Sequence, residues 1–361
     1  MSEEHYDYPV FIMRGQPFHL GHKSVIDIAF QHAKRVILFL GSANRPRSPR
    51  TPWTFEERAN MVRDTYRASI VWHTDYYSSR ISIESLDDHL YTDNNWIKEV
   101  QAKVQEIVRT TTLGPNPKIG LIGHAKDNTS YYLKKFPQWG SIEAAGYDEH
   151  HLCNATDIRR QYLAPYPDGF GFPQWKDDCP DATIEALESF KLTPEYAYLR
   201  DEQEYCEQYI RDHKFPGKPY DSAQITVDAV VIQSGHILLI ERRALPGKGL
   251  IALPGGFLDT SETLENSMIR ELREETKLKV PERVLRGSIT KRHPFDDPHR
   301  SSRGRIVTHA FLIELEPTET LPKVRGGDDA KRAFWKPLSE LDPKEMFDDH
   351  YFIIQYLTGV Q

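Results

Sequence analysis

Apolar residues along the chain follow two rhythms. Unbroken runs at 9–13 (PVFIM), 35–42 (RVILFLGS) and 118–123 (KIGLIG) have the length of strands buried on both faces. Between the first two, Val25, Ile26, Ala29, Phe30 and Ala33 recur at helical spacing. A further helix is predicted over 94–108, where Ile97, Val100, Val104, Ile107 and Val108 share one face. Such β-turn-α-β order implies a parallel sheet with helices on its faces, and ligands at the carboxyl ends of its strands.

Between about 163 and 220 the rhythm is lost. APYPDGFGFPQWKDDCPDA is dense in Pro and Gly and predicts irregular chain, and the helical pattern after it ends near Pro216. From Ile225 two apolar runs flank a Ser-Gly turn, which predicts a β-hairpin. A helix over 262–277 and a strand over 307–316 follow. The expected domains are therefore 1–163 and 221–361, joined by a connector with helical segments over 164–220.

The length of 361 residues suits two domains, each able to bury a core. With 46 Lys+Arg against 53 Asp+Glu, the net charge of −7 argues against a partner bound by non-specific coating of nucleic acid. Phosphate-bearing small molecules need only a local basic pocket. Cys153, Cys179 and Cys206 form no ligand pair and read as reduced thiols. The first residues carry acids where a signal peptide carries bases, and no stretch has the roughly 20 apolar residues of a membrane helix. A cytoplasmic protein with no membrane partner is expected. A homo-oligomer is compatible with the sequence.

His19-Leu20-Gly21-His22 follows a strand and opens a helix. Two imidazoles there can donate hydrogen bonds to phosphate oxygens, which the helix dipole also favours, and Gly21 allows close approach. Surface histidines would give the same tetrapeptide. Far downstream, Asn154-Ala155-Thr156-Asp157-Ile158-Arg159 offers a helix cap and a guanidinium. Together these segments resemble the HxGH nucleotidyltransferase superfamily. With GSANRPRSPRTPWTFEER (41–58), DNNWIKEV (93–100) and GHAKDNTSYYLKKFPQW (123–139), the stretch from Tyr8 to Leu163 looks like nicotinamide mononucleotide (NMN) adenylyltransferases of the archaeal type. Two positions depart from the pattern: Met13-Arg14-Gly15 stands for the usual Gly-Arg-Phe, and Ala125 for a basic residue.

The resemblance implies a Rossmann-like domain that transfers the adenylyl group of ATP to NMN, aided by Mg²⁺. It assigns His19 and His22 to catalysis. Arg14, Gln16, Gly21, Gly123, His124, Thr156 and Arg159 would bind ATP, and Trp53, Asn95 and Trp96 the nicotinamide nucleotide. A buried tryptophan is the commoner explanation for Trp53 or Trp96.

In the second half, Gly256, Glu262, Arg270, Glu271, Leu272, Glu274 and Glu275 hold nearly every fixed position of the Nudix box, with Lys277 where it usually has Gly. Glu271 and Glu275 share a helical face, and carboxylates so close repel unless a hard cation such as Mg²⁺ or Mn²⁺ neutralises them. A solvated acidic face is the bland alternative. The box implies an α/β/α domain with a mixed sheet, metal ligands Gly256, Glu271, Glu274 and Glu275, and catalysis that includes Arg270. KRHPFDDPHRSSRGRIVTHAF (291–311) resembles the equivalent region of Nudix domains fused to NMN adenylyltransferases. That implies ADP-ribose contacts from Phe295, Arg300, Arg303, Arg305 and His309.

A bifunctional enzyme that makes NAD and hydrolyses ADP-ribose is therefore expected, with ATP, NMN and ADP-ribose as its small-molecule partners. The alternatives are another acceptor or nucleoside diphosphate derivative, or a Nudix half that senses ADP-ribose.

Overall fold

Strand Tyr8–Met13 (β1) is buried at five of six positions and Val36–Leu40 (β2) at all five, as continuous apolar runs require. They pair in parallel. Ile81–Ser85 (β3), Ile119–Gly123 (β4) and Gly140–Glu143 (β5) complete an all-parallel sheet of order β3-β2-β1-β4-β5. This computed structural model describes residues 5–33, 35–68, 80–111, 116–123, 135–144, 154–164, 174–213, 223–327 and 329–360. The chain divides into two units, Met1–Arg200 and Asp201–Gln361.

Alternate strand positions feed two cores. Phe11, Leu38 and Leu40 pack with Val25, Ile26 and Ala29 of helix Leu20–His32 (α1) and with Val62 of Phe55–Ala68 (α2). Val10, Ile37 and Phe39 face Val100, Val104 and Ile107 of Asp93–Thr111 (α3). The strand order reverses between β1 and β4, so the chain leaving β1 emerges at a switch point, where open α/β sheets bind ligands. Ala155–Leu163 (α4) lies downstream.

The segment read as a connector does more than connect. Trp175, Leu187, Phe190 and Leu199 join the core of the first unit, and helix Asp181–Phe190 (α5) packs on α2. Tyr162 Oη donates to the Leu187 carbonyl at 2.7 Å and Tyr196 Oη to the Tyr162 carbonyl at 3.0 Å, fixing this layer. The division into units falls within helix Pro194–Asp212 (α6).

The second unit is built on a mixed sheet. Its strands are Gln224–Gln233 (β6), His236–Arg242 (β7), Ile251–Ala252 (β8), Gly255–Phe257 (β9), Ile289–Phe295 (β10), Ile306–Glu314 (β11) and Ala330–Pro337 (β12). The order is β10-β11-β6-β7-β12, with β8 on β7 and β9 on β6, and β6–β11 is its parallel pair. Helix Leu264–Thr276 (α7) buries Met268, Ile269 and Leu272 against it, and Glu282–Gly287 (α8) and His350–Thr358 (α9) complete the unit. Lys277 caps α7 in the left-handed conformation at φ 50°, which glycine adopts without strain. The loop before β12 meets this end: Arg325 N–H donates to the Thr276 carbonyl and Gly327 N–H to that of Glu275.

Candidate active sites

In the first unit the site is built on the turn that leaves β1. Gly15 has φ 61°, in the region where a side chain is strained, which accounts for glycine following Arg14. Buried Arg58 donates to the Arg14 carbonyl and, at 2.8 Å, to that of Gly41, stapling the turn to the end of β2. Burial pulls the Arg58 pKa down to about 10. His19, in extended conformation, precedes α1, and Gly21 lies in the first turn of that helix. The His19 and His22 rings stack at 3.7 Å, with Phe18 near-parallel to His22 at 6.1 Å.

The distant motif arrives here. Asn154 caps α4 by accepting the Thr156 N–H at 2.9 Å, and Arg159 Nη2 donates to Thr156 Oγ1 at 3.2 Å. Arg159 Nη1 reaches the Gln16 carbonyl at 2.5 Å. Burial brings the Arg159 pKa down to about 10, and the nearby positive charges of Arg14 and Arg50 push the same way. A buried guanidinium with two more positive charges within reach suits a polyanion. Arg50 escaped the motif reading. Its signal is the basic run Arg45–Arg50, in which no spacing distinguishes one arginine.

Some expected contacts are committed elsewhere. The Gln16 side chain donates to the Trp53 carbonyl at 2.8 Å and accepts its N–H at 3.1 Å, so it positions chain rather than ligand. Trp53 is 2% exposed and packs on Tyr162 and Phe190, which leaves no ring face for nicotinamide. Trp96 is half-buried beside Phe136 at 5.9 Å, and Asn95 lies with it in the first turn of α3. Gly123 ends β4. His124 lies outside the described residues.

In the second unit, α7 presents its carboxylates beside a strand without side chains. A Cβ on Gly256 would stand 2.5 Å from Glu271 Cδ, so only glycine lets the β9 backbone approach that carboxylate. Arg270 donates to Glu262 at 3.0 Å, Glu271 at 2.7 Å and Glu274 at 3.0 Å. Glu275 turns away to accept the Gly255 N–H at 2.9 Å. Among the described residues no three acids or histidines are gathered as a metal cage; Glu271 and Glu274 accept from Arg270, and Glu275 accepts from Gly255. The donor set nonetheless fits a hard cation. Burial lifts the Glu275 pKa to about 8, and that of Glu271 also rises through burial. Crowded, desolvated carboxylates of this kind are relieved by a divalent ion. Arg242, which the motif reading missed, donates to the Pro246 carbonyl at 2.8 Å and lies 4.1 Å over Phe347. Burial lowers its pKa, Arg303 adds repulsion, and Glu275 is among the acids that oppose the fall.

Two expected ADP-ribose contacts are likewise committed. Phe295 is buried, with its ring edge-on to those of His293 and Tyr356. Arg300 is 7% exposed and forms a bidentate pair with Asp349, at 2.9 and 2.8 Å. Arg305 donates to the Asp296 carbonyl at 2.5 Å, and His309 is half-buried on β11. Arg303 lies over the rings of Tyr209 and Phe257.

Comparison with known proteins agrees with this division. The NUDIX domain family matches residues 223–357 and the cytidylyltransferase-like family residues 15–132. A nicotinamide/nicotinic acid mononucleotide adenylyltransferase of Acinetobacter baylyi is 34% identical over 54% of this chain and 92% of its own. An ADP-ribose pyrophosphatase of Methanocaldococcus jannaschii is 35% identical over 37% of this chain and 72% of its own. The crystal structure of a bifunctional NMN adenylyltransferase/ADP-ribose pyrophosphatase of Francisella tularensis, complexed with AMP and a manganese ion, covers 98% of this chain and 99% of that one. Its TM-score is 0.86 at 33% identity. The chain belongs to the family of bifunctional NMN adenylyltransferase/ADP-ribose pyrophosphatases.

Proposed function

We infer that the first unit joins ATP and NMN to give NAD and pyrophosphate, and that the second hydrolyses ADP-ribose to AMP and ribose 5-phosphate. In the first reaction an oxygen of the NMN phosphate attacks the α-phosphorus of ATP, and the bond to the β-phosphate breaks. No side chain need act as nucleophile, so orientation and charge stabilisation carry catalysis. His19 and His22 donate to the phosphates as charge moves onto the leaving group, while Arg14, Arg50 and Arg159 hold the triphosphate. Trp96 and Asn95 are assigned to the nicotinamide nucleotide.

In the second reaction water attacks one phosphorus of the diphosphate and the P–O–P bridge breaks. Glu271, Glu274, Glu275 and the Gly256 backbone would hold a divalent cation, Mg²⁺ with Mn²⁺ as substitute, after Arg270 yields its contacts. The cation supplies a Lewis acid at the diphosphate and at water. Residues 221–361 are read as the hydrolase domain. Cytoplasmic placement rests on the buried thiols Cys179 and Cys206, and no described helix is long and apolar enough to cross a membrane.

One observation carries the reading: motif residues far apart in sequence meet. Arg159 binds the Gln16 carbonyl across 143 positions. The test is product analysis of the chain incubated with ATP, NMN and Mg²⁺, and separately with a panel of nucleoside diphosphate derivatives. NAD in the first and AMP from ADP-ribose in the second are expected. Failure to form either product rejects the corresponding half.

A further inference from the structure

The last turns of α6 lie in the second unit and carry a cluster that neither motif includes. Tyr209 Oη donates to Gln224 Oε1 at 2.9 Å, which fixes the ring at the start of β6. His213 covers one face, stacked at 4.0 Å and 17°. Phe257 lies 6.4 Å from Tyr209 with the two rings only 19° from parallel. The Arg303 guanidinium spans both, 5.9 Å from the Tyr209 centroid and 5.4 Å from that of Phe257. Phe257 is 38% exposed, although it directly follows the Gly255-Gly256 pair against which the α7 carboxylates lie.

We propose that Tyr209 of α6, with Phe257 and Arg303, forms the base-binding end of the hydrolase site and takes the purine ring of its nucleoside diphosphate substrate. The inference rests on the ADP-ribose reading above and deepens it. Three features favour a flat heteroaromatic occupant. Near-parallel rings held rigidly from behind offer a stacking surface to any base. A guanidinium stacks as readily on a base as on Tyr or Phe. Arg303 Nε is buried without a hydrogen-bond partner among the described residues, and a purine offers ring nitrogens as acceptors. The cluster also connects to the diphosphate end. Arg242 is within electrostatic reach of both Arg303 and Glu275, so positive charge runs from the platform toward the carboxylates. A substrate with a base at one end and a diphosphate next to it matches that order.

The test is steady-state hydrolysis of ADP-ribose by the full chain in Mg²⁺, comparing the unaltered protein with Tyr209→Phe, Tyr209→Leu and Phe257→Leu. Losing a stacked ring should raise KM about tenfold in each Leu variant, within the usual range for one base–aromatic stack. The kcat should stay within about twofold, and Tyr209→Phe, which keeps the ring, should retain its KM. A merely structural role predicts another pattern: Tyr209→Phe as damaging as Tyr209→Leu, or kcat falling at constant KM, and either overturns the proposal. So does an unchanged KM in both Leu variants. If Tyr209→Leu does not fold, the exposed Phe257→Leu decides alone. Absence of ADP-ribose hydrolysis by the unaltered chain overturns the functional reading and this inference with it. Hydrolysis with indifferent variants overturns the inference only.

Discussion

Replacing Gly256 by alanine isolates the contact between β9 and the carboxylate helix. The added Cβ would lie 2.5 Å from Glu271 Cδ and 2.6 and 2.7 Å from its two oxygens. Ordinary contact begins at 3.4 Å, so the carboxylate must retreat by about 0.9 Å. The cost to stability is small, because the displaced atoms end a flexible side chain. The cost to chemistry is not. A displacement near 1 Å at a reacting centre lowers rates by about 100-fold. ADP-ribose hydrolysis and NAD formation should be assayed on one preparation of Gly256→Ala, with a thermal melt as control. Hydrolysis is expected to fall about 100-fold with NAD formation and Tm nearly unchanged. Hydrolysis within threefold of the unaltered chain would show that Glu271 does not act at the position seen here.

Three further outcomes follow from particular contacts. Removing Arg50 with Arg50→Ala should raise the KM for ATP about tenfold or more, the scale of one charge-assisted phosphate contact, and an unaltered KM removes it from the triphosphate site. Lys277→Gly relieves a left-handed side chain and should stabilise the second unit by up to ~1 kcal/mol, read as a rise in Tm; a fall would mean that the lysine's contacts outweigh the strain. His350 is buried and its Nδ1 accepts the Leu253 N–H at 2.9 Å, so it is held neutral, its pKa lowered chiefly by burial despite nearby Asp228 and Asp349. Below pH 6.5 the unfolded chain takes up a proton that the folded one refuses. Stability is therefore full above that pH and falls by about 1.4 kcal/mol per unit as pH drops toward the lowered value. Melts at pH 7.5 and 5.5 should show this loss in the second unit and a smaller one in His350→Asn; equal losses reject the assignment.

The central strands and α7 were legible because their patterns are unambiguous: continuous apolar runs in β1 and β2, and helical spacing of Met268, Ile269 and Leu272. Edge strands β3 and β5 were not, since ISIES and GSIE are half-exposed and carry too few apolar positions to register. Trp175 and Phe190 looked like connector residues because the Pro/Gly-rich stretch before them hides a packed layer. At the sites, residue type was readable but partnership was not. Spacing marks Glu271 and Glu275 as neighbours, yet it cannot show that Arg270 claims the first, the Gly255 N–H the second, or Asp349 the guanidinium of Arg300. Gln16 and Trp53 sit within a signature and serve each other. Tyr209 had no signal at all, because it meets Phe257 and Arg303 only through the fold.

The central claim is that one chain holds two separate active sites, and a crossed assay tests it most directly. His22→Ala and Glu275→Gln are each measured for NAD formation from ATP and NMN and for AMP release from ADP-ribose, on the same preparations. The account predicts that His22→Ala loses at least ~100-fold in NAD formation and keeps hydrolysis, and that Glu275→Gln does the reverse. Parallel loss of both activities in either folded variant would contradict it.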